Sequence, residues 1–96
     1  MRRCYLACYD IRDARRLRRV HRICKGYGET WQYSIFFCIL KPIDRVRLQT
    51  ELESVMNLHE DQILIIDLGT NEDAARSATF AIGQPMEEPL EGTVVI

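Results

Sequence analysis

Apolar positions recur with period two in some stretches of this chain and with period 3.6 in others, and the changes of period mark its elements. Residues 4–9 (Cys-Tyr-Leu-Ala-Cys-Tyr) are a short apolar run rich in strand formers, ended by Asp10, and predict a first strand. Asp13 is a good N-cap for a helix over residues 14–27. On a helical wheel Leu17, Val20, Ile23, Cys24 and Tyr27 make one apolar stripe, and Gly26 and Gly28 are the expected stop. Residues 31–40 read as strand, either one long strand or two broken near Ser34. Trp31, Tyr33, Ile35, Phe37 and Ile39 point one way, and Gln32, Ser34, Phe36, Cys38 and Leu40 the other.

Pro42 suits the first turn of a second helix, whose apolar face is Leu48, Leu52, Val55 and Met56. Residues 62–68 predict a strongly apolar strand closed by Gly69, and residues 78–82 a weaker one before Gly83. Pro85 and Pro89 then bracket an acidic linker, with a last strand expected over residues 92–96. Strands and helices alternating in so short a chain predict an α+β fold, a ferredoxin-like sandwich of one antiparallel sheet with two helices on one face. We expect residues 1–83 to form that domain and residues 84–96 to form the linker and terminal strand. That strand can pair at its own sheet edge or add to a neighbour's sheet. Either way a chain of 96 residues gains burial by dimerising.

Composition at first argues against a nucleic-acid partner, because 13 Lys+Arg against 14 Asp+Glu leave a net charge of −1. The distribution of those charges along the chain argues the opposite. Residues 1–50 hold 12 bases and 4 acids (+8), whereas residues 51–96 hold 1 base and 10 acids (−9). Such asymmetry points to an anionic partner for one surface and a basic partner for another. No run is apolar for long enough to span a membrane, and the six apolar residues before Asp10 are too few for a signal peptide. Cys4, Cys8, Cys24 and Cys38 form no C-x-x-C pair and no zinc spacing with His21 or His59, so reduced thiols in a cytoplasmic protein are expected.

Arg12, Arg15, Arg19 and Arg22 recur on the face of the first helix opposite its apolar stripe, with Arg18 beside them and Arg16 at the edge of the stripe. Like charges at this spacing repel, so the face is costly to keep unless an anion binds it. The guanidinium fork is suited to phosphate, and about 15 Å of helix reaches roughly two or three backbone phosphates. Asp10, between the first strand and this helix, sits where a carboxylate can hold a divalent cation against a phosphate. One carboxylate is a poor Mg²⁺ site, and a two-fold dimer that brings two copies of Asp10 together would cure that. The aromatics Trp31, Tyr33, Phe36 and Phe37 suit either a base-stacking platform or core packing, and the second is favoured.

Several short motifs in order carry a resemblance: Tyr9-Asp10-Ile11 closing the first strand, Arg16-Leu17-Arg18-Arg19-Val20, Tyr27-Gly28, Gln32-Tyr33-Ser34-Ile35-Phe36, and Glu60-Asp61 opening an apolar strand. Over residues 4–68 the sequence resembles the CRISPR-associated protein two family, the small adaptation protein. The resemblance implies a ferredoxin-like homodimer whose terminal strand packs on the partner's sheet. It also implies work beside the CRISPR integrase, CRISPR-associated protein one, in spacer acquisition. For members described as Mg²⁺-dependent endonucleases on RNA or DNA, the metal ligand at the dimer axis maps onto Asp10. Other family positions linked to activity or nucleic-acid contact map onto Tyr9, Arg19 and Phe36. The sequence departs from the pattern at Thr30, where a basic residue is common, and at Phe37, where an acid is common. Two readings follow: a metal-dependent endonuclease, or a non-catalytic duplex-binding scaffold and integrase adaptor.

Overall fold

The computed structural model describes residues 1–84. Their elements run β1 (Arg3–Asp10), α1 (Ala14–Tyr27), β2 (Gly28–Gln32), β3 (Ile35–Leu40), α2 (Pro42–Val55), β4 (Gln62–Asp67) and α3 (Glu72–Ser77). The four strands form one antiparallel sheet in the order β2-β3-β1-β4, the ferredoxin-like arrangement. No helix among the described residues is long and apolar enough to cross a membrane.

Alternation along the strands sorts the side chains. Tyr5, Ala7 and Tyr9 of β1 and Phe36, Cys38 and Leu40 of β3 pack against Val20 and Cys24 of α1 and Leu48 and Leu52 of α2. The expected stripe of α1 is the buried one, with Leu17, Ile23 and Tyr27 at its margins. Residues 31–40 resolve into two strands joined by a turn at Tyr33 and Ser34, and the first of them begins as early as Gly28. Gly28 does not end α1 by a left-handed turn, since its φ is −159° and the chain passes straight from helix to strand. Its lack of a side chain matters for space: a Cβ there would lie 2.5 Å from both the Cys38 sulfur and the Phe37 carbonyl oxygen. All four cysteines are free thiols, and burial pushes Cys24 up to about 12 and Cys38 up to about 11.

The weak strand expected over residues 78–82 is not formed; α3 precedes that stretch instead, and residues 79–84 carry no regular element. Asn71 caps α3 by accepting from the Ala74 N–H at 3.0 Å, and Glu72 and Asp73 occupy its positively polarised first turn. The helix covers part of the second face of the sheet. Its Ala75 packs with Cys4 and Phe37, and the Arg76 guanidinium lies 4.5 Å from the Phe37 ring centre. Arg76 also pairs with Glu29 at 2.7 Å and Glu72 at 2.8 Å, so the one base of the acidic half is consumed locally. The linker bracketed by Pro85 and Pro89 and the expected strand over residues 92–96 lie outside the described residues.

Candidate nucleic-acid interface

The interface begins where β1 hands the chain to α1. Asp13 caps the helix by accepting from the Arg16 N–H at 3.0 Å, and that bond holds its carboxyl below the ordinary value. The expected phase follows: Arg12, Arg15, Arg18, Arg19 and Arg22 are all exposed. Arg12 Nη2 approaches Asp10 Oδ2 at 3.6 Å, with both side chains about two-thirds exposed (67% and 66%). Arg15, Arg18, Arg19 and Arg22 have no ion-pair partner among the described residues. Four unneutralised guanidinium groups on about two turns of helix make a concentrated positive surface.

Arg16 departs from this set. Its side chain is only 22% exposed, and it donates through Nε to Asp61 Oδ2 at 2.8 Å and through Nη2 to Asp61 Oδ1 at 3.2 Å and Glu60 Oε1 at 3.0 Å. Asp61 is buried and also accepts from the backbone N–H groups of Arg12 at 2.9 Å and Asn57 at 2.8 Å. The Arg16 guanidinium, then these two N–H groups, hold the Asp61 carboxyl far below the usual carboxylate range. One carboxylate thereby ties the β1–α1 loop, the first turn of α1 and the entry to β4 together. Nothing local in the sequence signals this, because the partners are 45 residues apart.

Asp10 ends β1 opposite Gln62 of β4. It shares the alternation of Cys4, Leu6 and Cys8, so it belongs to the sheet face away from α1 and α2. That face carries exposed apolar side chains beside it: Leu64, opposite Cys8, is 48% exposed, and Ile66, opposite Leu6, is 43% exposed. A solvent-facing carboxylate is a hard oxygen donor of the kind Mg²⁺ accepts, since Mg²⁺ is commonly held by one or two carboxylates plus substrate phosphates. Among the described residues no three His, Cys, Asp or Glu side chains come together.

Tyr9 and Phe36 lie behind Asp10 in the core. Phe36 is fully buried and Tyr9 nearly so, with their rings 6.2 Å apart. Neither side chain faces solvent, so their reach into the site is through what they hold in position. The Tyr9 hydroxyl donates to the Tyr33 carbonyl at 2.6 Å and lies 2.9 Å from His21 Nδ1. A phenol has one proton to give, so His21 Nδ1 is the donor in the second bond. Burial pushes the Tyr9 phenol well above its ordinary value, keeping it a neutral donor. His21 in turn packs edge-on against Phe36 at 5.3 Å. This network joins β1, α1 and the β2–β3 turn. Sequence reasoning gives His21 no role, because its place on the helix between Arg18 and Arg22 says nothing of the hydroxyl it meets.

The family model described as CRISPR associated protein Cas2 matches residues 3–76. The chain is 41% identical over 91 residues to the CRISPR-associated endoribonuclease Cas2 2 of Thermodesulfovibrio yellowstonii, covering 95% of this chain and 97% of that one. It is 32% identical over 96 residues to the CRISPR-associated endoribonuclease Cas2 of Geobacter sulfurreducens, covering 100% of both. Among solved structures, a hypothetical protein of Thermus thermophilus superposes with a TM-score of 0.76 at 24% identity, over 91% of this chain and 98% of that one. Streptococcus pyogenes Cas2 superposes with a TM-score of 0.72 at 24% identity, over 83% of this chain and 99% of that one.

Proposed function

The chain belongs to the CRISPR-associated protein Cas2 family, and we propose that it works in CRISPR adaptation as a homodimer beside the CRISPR integrase and cleaves phosphodiesters with Mg²⁺. The observation that carries this reading lies at the β1–α1 junction: the solvent-facing Asp10 carboxylate is 3.6 Å from Arg12, and the helix that follows carries four guanidinium groups with no ion-pair partner among the described residues. The relatives' own description as endoribonucleases agrees with a phosphodiester substrate.

In this reading Arg12, Arg15, Arg18, Arg19 and Arg22 bind and orient the phosphate backbone, while Arg16 holds the helix in register through Asp61. Asp10 is the metal ligand, and Mg²⁺ when bound supplies Lewis acidity toward the phosphodiester. Tyr9 and Phe36 act as positioning residues, holding the end of β1 that carries Asp10. Dimerisation through the partly exposed Leu64 and Ile66 face would bring the two Asp10 carboxylates toward one axis. The acidic second half, including Glu51 and Glu53 of α2, is suited to docking a basic protein and to keeping nucleic acid away from that side.

The alternative, a duplex-binding scaffold without hydrolysis, is favoured by the single carboxylate that each chain offers. Asp10→Asn separates the two. With Mg²⁺ present, the nuclease reading predicts that the variant loses cleavage and keeps binding. Cleavage that persists in highly purified variant contradicts it, and a wild type that binds duplex without cutting assigns the scaffold role.

A further inference from the structure

The four aromatics of residues 31–37 separate into different environments. Phe36 is in the helix-side core, and Phe37 is buried on the other face with the half-buried Trp31 stacked on it at 4.8 Å. Tyr33 is 51% exposed, its ring stacks on no other described ring, and its hydroxyl makes no hydrogen bond among the described residues. It stands at the turn between β2 and β3, and its backbone is held from behind. The Tyr9 hydroxyl donates to the Tyr33 carbonyl at 2.6 Å, and the Tyr9 N–H donates to the Ser34 carbonyl at 3.0 Å.

That second bond carries the β1–β3 ladder beyond its last strand pair, Cys8 opposite Ile35. The same antiparallel register sets Ser34 opposite Tyr9, and Tyr33 precedes it in the turn. An exposed aromatic ring therefore sits on a turn pinned by two hydrogen bonds to Tyr9, the residue that precedes Asp10.

We infer that Tyr33 is a base-stacking residue, which takes the face of an unpaired nucleobase next to the phosphate held beside Asp10. The inference rests on the phosphate-binding reading and deepens it by naming what the site distinguishes. Arginines alone grip single strands and duplexes alike, whereas a ring on a rigid turn rewards only a base free to unstack. The turn's clamp lowers the ordering cost of that contact. Tyr33 is thus a specificity residue for single-stranded nucleic acid, separate from the arginines that supply affinity.

The test uses the full chain, Tyr33→Ala and Tyr33→Phe, with a single-stranded RNA bearing one 2-aminopurine and a duplex of the same sequence. We expect Tyr33→Ala to weaken single-strand binding by between about 5-fold and 100-fold, to abolish the protein-induced change in 2-aminopurine fluorescence, and to leave duplex binding within about twofold. Tyr33→Phe, which keeps the ring, behaves as wild type. Equal loss on both ligands, or a Tyr33→Ala protein with altered oligomeric mass, overturns the inference by making Tyr33 an interface or structural residue. Unchanged single-strand binding in Tyr33→Ala overturns it as well. A wild type that binds neither ligand overturns the phosphate-binding reading, and with it this inference.

Discussion

The Arg16 guanidinium donates to the buried Asp61 carboxylate at 2.8 Å and 3.2 Å, joining the first turn of the arginine helix to the entry of β4. Asp61 simultaneously accepts from the Arg12 N–H, the peptide that follows the loop out of Asp10 and Ile11. The helix that presents the free arginines is therefore oriented by the one arginine withdrawn from that surface.

Removing Asp61 leaves two backbone N–H groups without an acceptor and the Arg16 guanidinium with Glu60 alone. Asp61→Ala is expected to destabilise the fold by about 3 kcal/mol, seen as a lower urea midpoint with an unchanged slope. A midpoint equal to wild type contradicts this role.

The same carboxylate sets a pH dependence. Asp61 has a lowered value in the folded state, as do Asp13, Glu29 and Asp67, so in acid the unfolded chain binds more protons than the folded one. Their stabilisation is complete above the unfolded carboxylate value of about 4 and is lost as pH falls through the folded values. Urea midpoints are expected to be level through neutral pH and to drop below about pH 4, with a shallower acid limb in Asp61→Asn.

Two glycines at the end of α1 test the distinction between space and conformation. Gly28→Ala drives a Cβ to 2.5 Å from the Cys38 sulfur and the Phe37 carbonyl, and is expected to cost about 2 kcal/mol or more. Gly26, with nothing within 4 Å of a Cβ, is expected to gain about 0.5 kcal/mol as alanine. Thermal midpoints moving in opposite directions are the check.

Tyr9→Phe keeps the ring and removes the hydroxyl, stranding the Tyr33 carbonyl and the His21 Nδ1–H. A loss of about 1–2 kcal/mol is expected, together with slower Mg²⁺-dependent cleavage and unchanged duplex affinity. Wild-type cleavage by this variant contradicts the positioning role.

Much of this architecture is legible in the sequence, because its signals are local. Asp13 as a cap and the Leu17–Val20–Cys24 stripe predict α1 with its observed bounds, and alternation in β3 assigns Phe36 and Phe37 to their respective faces. The short helix α3 escapes such a reading although Asn71-Glu72-Asp73 is a helix-start signal, because the weakly apolar stretch over residues 78–82 reads as a strand. Those residues are in fact exposed, with Phe80 at 87% and Ile82 at 91%. The partners of Arg16 and His21 are not legible. The helical wheel sets Arg16 at the edge of the apolar stripe, but nothing local points to Asp61, 45 residues away, and His21 has no apparent role until the fold brings the Tyr9 hydroxyl to it.

Phosphate binding by α1 is tested most directly by the salt dependence of nucleic-acid affinity, in wild type and in a variant with Arg15, Arg18, Arg19 and Arg22 changed to Gln. For a wild-type dimer log K is expected to fall against log[salt] with a slope of roughly −4 to −6, and the folded variant to bind weakly with a slope near zero. A flat wild-type response, or an unchanged slope in the variant, would contradict a phosphate-gripping α1.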